Sequence, residues 1–205
     1  MKFPHWIPGV AITAATLAGC HALPALQYYA LDAVQPRTAA APPAAAGLLI
    51  HVRHVGVPHE MDHLGLTHHV GPTQLAISDN DQWTASLNVL IQGTLTRDLG
   101  ERLGYDHVVA IDALPVVSHP DPAQRPTAAT PQTTLDLDFV ALSADERCDI
   151  AAQVNWTWSV PNGPARHGTA QLLAPAAGCP HGLPAALSTA LGDLADQLVL
   201  QLAIP

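Results

Sequence analysis

The chain has 205 residues, 48% of them hydrophobic and only 12% charged, with 19 prolines and 14 glycines. That length fits one domain with a leader or tail, and the Pro and Gly load argues against a coiled coil or a simple helix bundle. A formal net charge of −9 leaves no basic footprint for nucleic acid or for anionic lipid headgroups.

Residues 1–19 read as a secretory leader. Lys2 supplies the positive start, and residues 7–18 form an uncharged run too short to span a bilayer. The run ends in Leu17-Ala18-Gly19-Cys20, the pattern of a bacterial lipobox. Small residues before the cysteine admit the chain to a peptidase cleft; the thiol takes a diacylglycerol, and cleavage makes Cys20 the new N-terminus. Two or three acyl chains anchor a protein durably, whereas one binds only marginally. His21 rather than Asp follows the cysteine, which by the enterobacterial sorting rule favours the outer membrane. The expected organisation is a signal peptide at 1–19, a lipidated tether at 20–27 and one α+β periplasmic domain at 28–205.

Further along, Tyr28-Tyr29-Ala30-Leu31 has the character of a short strand. Residues 36–46 are Pro/Ala-rich and read as a loop. Residues 48–57 (LLIHVRHVGV) alternate as a strand stopped by Pro58. One or two short strands are expected within 67–77 around Gly71-Pro72, then a turn at Asp79-Asn80-Asp81. Over 84–103 the period changes. Leu87, Ile91, Leu95, Leu99 and Leu103 recur every four residues, with Gly104 as C-cap. This phase puts Leu95 in the core and Thr96 on the opposite side. Residues 107–113 are expected as a strand and 115–131 as a Pro-rich loop.

Leu135, Leu137 and Phe139 alternate with Asp136 and Asp138, as a half-exposed strand does. A second alternating strand carries Ile150, Ala152, Val154, Trp156 and Trp158, and Pro161-Asn162-Gly163 turns it into a partner at 166–174. Pro184 opens a last helix with Leu187, Leu191, Leu194 and Leu198 on one face. The fold expected is α+β: a mixed, mostly antiparallel sheet with two amphipathic helices packed on one face.

No catalytic constellation assembles in this order of residues. There is no G-x-S-x-G, no Walker loop and no G-x-G-x-x-G. His59-Glu60-Met61-Asp62-His63 does match H-E-x-x-H, with His69 where an extended zincin would place a third ligand. That chemistry needs a helix, which alone sets residues four apart on one face for Zn²⁺. Gly56, Pro58 and Gly65 leave at most seven residues, far short of an autonomous helix. The motif therefore reads as a polar loop in a histidine-rich stretch, with no metal site and no catalytic residue assigned. A lipid-anchored zinc metallopeptidase stands as the alternative. Asp136 and Asp138 read as the wet side of a strand, and Trp156 and Trp158 as core. Once Cys20 is acylated, Cys148 and Cys179 remain as an even pair in an oxidising compartment, flanking a hairpin whose outer ends meet. A disulfide between them is expected.

Taken together, several features resemble the ABC-type transport auxiliary lipoprotein family, whose best-known branch is paraquat-inducible protein C. They are Leu17-Ala18-Gly19-Cys20, then Tyr28-Tyr29-Ala30-Leu31, the strand ending in Val57-Pro58, Trp83 ahead of the helix with Leu87, Leu95 and Leu99, and the closing helix from Pro184. The resemblance implies a non-enzymatic subunit, without cofactor. It would dock on an ABC engine and a mammalian-cell-entry-type substrate-binding protein that move lipids or other hydrophobic molecules between membranes. Homo-oligomers would fit such a role; an envelope-assembly lipoprotein without a transport role stands as a further alternative. The histidine cluster, the 115–131 loop and Cys148 with Cys179 are not hallmarks of that family.

Overall fold

The structure is a computed structural model that describes residues 24–37, 49–109, 132–161 and 163–202. Residues 1–23, with Cys20, lie outside the described residues, as do most of the two expected loops. In chain order the elements are β1 (Gln27–Tyr29), β2 (Leu49–Gly56), β3 (Gly65–Gly71), β4 (Gln74–Trp83), α1 (Leu87–Leu103), β5 (Gln132–Ala144), β6 (Ile150–Ser159), β7 (Arg166–Ala174) and α2 (Leu183–Leu202). The α+β class is the one expected.

The strands divide between two sheets rather than one. β1, β4 and β3 form a three-stranded sheet with β1 parallel to β4 and β3 antiparallel to it. β2, β5, β6 and β7 form the main sheet, with β2 parallel to β5 and the other pairs antiparallel. Parallel neighbours need a long crossover, and here β3, β4 and α1 supply it.

Helix α1 lies over β2, α2 lies over β6 and β7, and the helices pack on each other. The core fills the space between them and the sheet. Val52, Leu135, Leu137, Phe139, Val154, Trp156 and Trp158 face Ile91, Leu95, Leu99, Leu187, Leu191 and Leu194, all of them buried. Gly168 opposes Trp156 across β6–β7, and a Cβ there would stand 2.4 Å from the indole. The absent side chain is what leaves room for the ring.

One local expectation fails, and a second is tested only at its start. Asp79-Asn80-Asp81 is not a turn but the middle of β4; the reversal falls at Pro72-Thr73. The polar run stays extended because its side chains are satisfied in place. Ser78 Oγ donates to Asp81 Oδ2 at 2.8 Å and accepts from the Asp81 amide at 3.0 Å, while Asp81 pairs with Gln27 of β1. The strand expected at 107–113 begins instead with a 3-10 turn at Tyr105–His107, followed by a parallel bridge from Val108 to Ile50; residues 110–113 lie outside the described residues.

Thr96 also departs from the expected phase. It is buried, and its hydroxyl donates to the Gln92 carbonyl at 2.8 Å. Nearly every turn of α1 is covered, leaving Val89, Arg97 and Glu101 as its exposed residues. Two coverings account for this: Tyr105 lies against Gly100 on the flank that carries Thr96, and on the other flank a third layer runs over the side of the helices away from the sheet.

Candidate functional site

That third layer is the segment joining β1 to the rest of the fold. After Tyr29 the chain runs extended over the helix pair without strand partners, and Leu31 is buried. Its backbone groups are satisfied by side chains instead, as buried amides and carbonyls must be. The Leu31 carbonyl accepts from Arg97 Nη2 at 2.7 Å and Thr94 Oγ1 at 3.3 Å. The Asp32 amide donates to Ser188 Oγ at 3.1 Å, and the Val34 amide to Asp98 Oδ1 at 2.7 Å. The Val34 carbonyl accepts from Arg102 Nη1 at 3.1 Å. The strap thus touches both helices.

Arg102 is the hub of this arrangement. Its guanidinium donates to Asp196 Oδ1 at 2.6 Å, to the Asp98 carbonyl at 2.9 Å and to the Gly192 carbonyl at 2.9 Å. Side chains of Arg102 and Asp98 are 3% and 0% exposed. Gly192 marks the crossing, where a Cβ would fall 2.9 Å from Val34 Cβ. Burial raises the Asp98 carboxyl from 3.8 to about 6, against the lowering pull of the Val34 amide and the Arg102 charge. Asp98 Oδ2 has no partner. A buried ion pair of this kind specifies geometry more than it adds stability.

A second polar node holds β1 itself. Tyr29 Oη lies 2.6 Å from His181 Nδ1 and donates to Asp81 Oδ1 at 3.2 Å. The two rings stack with centroids 6.1 Å apart. Burial, then the hydrogen bond and charge of Asp81, raise the Tyr29 phenol above its usual 10.

On the far side, the outer face of the main sheet stays open. Gln153, Asn155, Thr169 and Gln171 sit side by side in β6–β7 register and are exposed. Leu173 is 78% exposed. A shallow hollow of about 260 Å³ lies among Ala141, Ala151, Gln153 and Leu173. The centre of this face has neutral hydroxyls and amides; its charge gathers toward β2, where Arg53 Nε donates to Asp136 Oδ1 at 2.8 Å and Nη2 to Asp136 Oδ2. Asp136 is thus an ion-pair partner, and Asp138 stands exposed beside Gly56.

Of the sequence candidates, Cys148 and Cys179 are joined as a disulfide with Cα atoms 5.2 Å apart. His59, Glu60 and Met61 form a single 3-10 turn, and His63 follows outside it. Among the described residues the one grouping of three metal-ligand side chains is His68 with Cys148 and Cys179, which includes neither His59, Glu60, His63 nor His69. Trp156 and Trp158 are core. The strap and its Asp98–Arg102 hub carry no sequence motif; an Asp and Arg one helical turn apart read equally well as a solvent-exposed pair.

A family model described as ABC-type transport auxiliary lipoprotein component matches residues 29–199. The chain belongs to that family. The match begins at Tyr29, the last residue of β1, and takes in the strap, β2 to β7 and nearly all of α2. Among solved structures, protein XCC0632 from Xanthomonas campestris, described as a DUF330 protein, is 13% identical with a TM-score of 0.61, over 84% of this chain and 92% of that one. An uncharacterized protein of known crystal structure is 16% identical with a TM-score of 0.57, over 87% and 97%. At such identities the likeness is one of fold. Among curated proteins none matches. This auxiliary lipoprotein is therefore a cell-envelope component of ABC-type transport. Among the described residues no helix is long and apolar enough to cross a membrane.

Proposed function

We propose that this auxiliary lipoprotein is acylated on Cys20 after removal of residues 1–19, and that residues 20–27 tether one periplasmic domain to the outer membrane. In this reading it docks on a mammalian-cell-entry-type substrate-binding subunit of an ABC system that moves lipids or other hydrophobic molecules between membranes. Its role is to hold and position, without catalysis or cofactor.

The observation that carries the reading is the root of the tether. β1 and the strap are fastened to β4, α1 and α2 at two polar nodes, so pull on the N-terminus is delivered into the helix layer. Eight residues from Cys20 to Tyr28 reach at most about 26–29 Å, which keeps the domain near the membrane and turns the rest of its surface to partners. The uncharged centre of the outer sheet face suits a docking surface that must pair hydrogen-bonding groups without burying ions.

Membrane fractionation tests the anchoring. The native protein is expected in the outer-membrane fraction, with a diacylglyceryl-modified N-terminal peptide by mass spectrometry. Cys20→Ala should release the chain from that fraction. Recovery of unmodified protein with an intact leader, in the soluble fraction, would refute the reading.

A further inference from the structure

Three distant stretches of chain meet at one end of the molecule. His68 comes from β3, Cys148 from the β5–β6 connection and Cys179 from the β7–α2 connection. One ring nitrogen of His68 and the two sulfurs lie within 4.8 Å of one another. His68 Nδ1 is buried without a hydrogen-bond partner. Cys148 is fully buried, and its backbone stands at φ 66°, a left-handed conformation uncommon for a non-glycine residue.

We propose that, once the Cys148–Cys179 disulfide is reduced, His68, Cys148 and Cys179 form a three-coordinate site for Cu(I). Two thiolates and an imidazole are soft to borderline donors, the set that selects Cu(I) over hard cations. Two of the nearby carboxylates are engaged elsewhere. Asp145 Oδ1 accepts the amides of Arg147 and Asp149, both at 2.9 Å. Asp149 Oδ1 accepts from the Ala176 amide at 2.8 Å, and its other oxygen lies 2.7 Å from Arg147 Nη2. Among the described residues no carboxylate oxygen joins the His68 nitrogen and the two sulfurs within 4.8 Å, which suits a three-coordinate d¹⁰ ion such as Cu(I). Zn²⁺ would need water or Glu146, which lines the cavity beside Cys179, as its fourth ligand.

Access to the sulfurs exists. A cavity of about 510 Å³ lined by Glu146, Arg147, Asp149, Pro175, Ala176 and Cys179 opens on the Cys179 side of the bridge. A dithiol reductant enters there: its thiolate attacks the Cys179 sulfur, the S–S bond breaks, and Cys148 leaves as thiolate beside His68. The second reductant thiol then releases Cys179 as the dithiol closes to its own disulfide. Two electrons and two protons have passed to the protein. Binding of Cu⁺ displaces both thiol protons, and the imidazole supplies the third bond. The disulfide therefore acts as a gate, closed when oxidised.

The test is an anaerobic competition for Cu(I) against a chromophoric chelator, using full-length protein without a His tag, in detergent. Phosphine-reduced protein is compared with oxidised protein. The expected result is one Cu(I) per reduced chain, none at matched chelator for the oxidised chain, and at least tenfold weaker binding for His68→Ala. His69→Ala, on the neighbouring strand position, should leave affinity unchanged. Far-UV circular dichroism follows the fold in parallel, and Cys148→Ser provides a chain that cannot bridge. Equal competition by oxidised and reduced protein overturns the proposal, as does full affinity in His68→Ala. A reduced chain that unfolds and takes up no copper overturns it as well. Stoichiometric Zn²⁺ in place of Cu(I) under the same competition would show that the ion is misassigned.

Discussion

The amide of Val34 stands 2.7 Å from the Asp98 carboxylate although 64 residues separate them. Through this bond the chain nearest the N-terminus becomes part of the helix layer. Arg102 closes the arrangement by donating both to the Val34 carbonyl and to the Gly192 carbonyl of α2. Strap, α1 and α2 are thus joined by two side chains of one helix, and loosening either should loosen the tether root.

Asp98 gives that arrangement a pH dependence. Its carboxyl titrates near 6 when folded against 3.8 ordinarily, so the folded state holds the proton more tightly. Stability from this group is full below about pH 4 and is lost as pH rises through 6, a difference of about 3 kcal/mol. Asp98→Asn has no such titration. Urea melts from about pH 4 to 7 should show the variant gaining on the native protein as pH rises. A constant gap would mean that Asp98 is not desolvated.

Arg102→Met should cost about 3–5 kcal/mol, because it leaves the Asp98 charge buried without its partner. Adding Asp98→Asn should recover most of that loss, the coupling expected of groups in one network. Arg147→Ala, at a side chain 79% exposed, should stay within about 0.5 kcal/mol. Additive losses in the double variant would contradict the shared hub.

Leu95 is fully buried on α1 and Val89 is 47% exposed. Leu95→Ala should cost about 2–5 kcal/mol, as large-to-small core changes do. Val89→Ala should cost less than about 0.5 kcal/mol. The sequence would have offered Thr96 as the exposed comparison, but Thr96 is covered. Equal losses at 89 and 95 would show the helix phase to be wrong.

Cys148 and Cys179 close a loop with a sequence separation of 31. On the chain-entropy model such a bridge stabilises by about 3–4 kcal/mol. Mass spectrometry of protein from an oxidising compartment should recover one peptide pair joined through these residues, and reduction should lower the urea midpoint. Two thiols alkylated freely in the native protein would speak against the bridge.

Periodicity made α1, α2 and β5–β7 legible, because each has one face buried and one wet, and burial writes itself as alternation. β4 was obscured because its polar residues satisfy one another and β1 in an extended run, where isolated Asp-Asn-Asp reads as a turn. The strap was not legible at all. Leu31 to Val34 bonds through side chains of α1 and α2, and contacts between residues so far apart leave no local pattern. The same distance hid the hub: Asp98 and Arg102 are buried where the strap and α2 both close over α1. His68 escaped notice within a histidine-rich stretch, since only the fold separates it from His69 and sets it against two sulfurs.

The central claim is that this lipoprotein docks on an ABC-type transport assembly. The most direct measurement is affinity purification of the full-length lipidated protein from solubilised envelopes, with bound proteins identified by mass spectrometry. The expected result is stoichiometric recovery of an ABC ATPase, its permease and a mammalian-cell-entry-type subunit, reduced at least tenfold by a charged substitution on the open sheet face such as Gln153→Arg. Recovery of the folded lipoprotein without any transport subunit, under conditions that keep such assemblies intact, would contradict it.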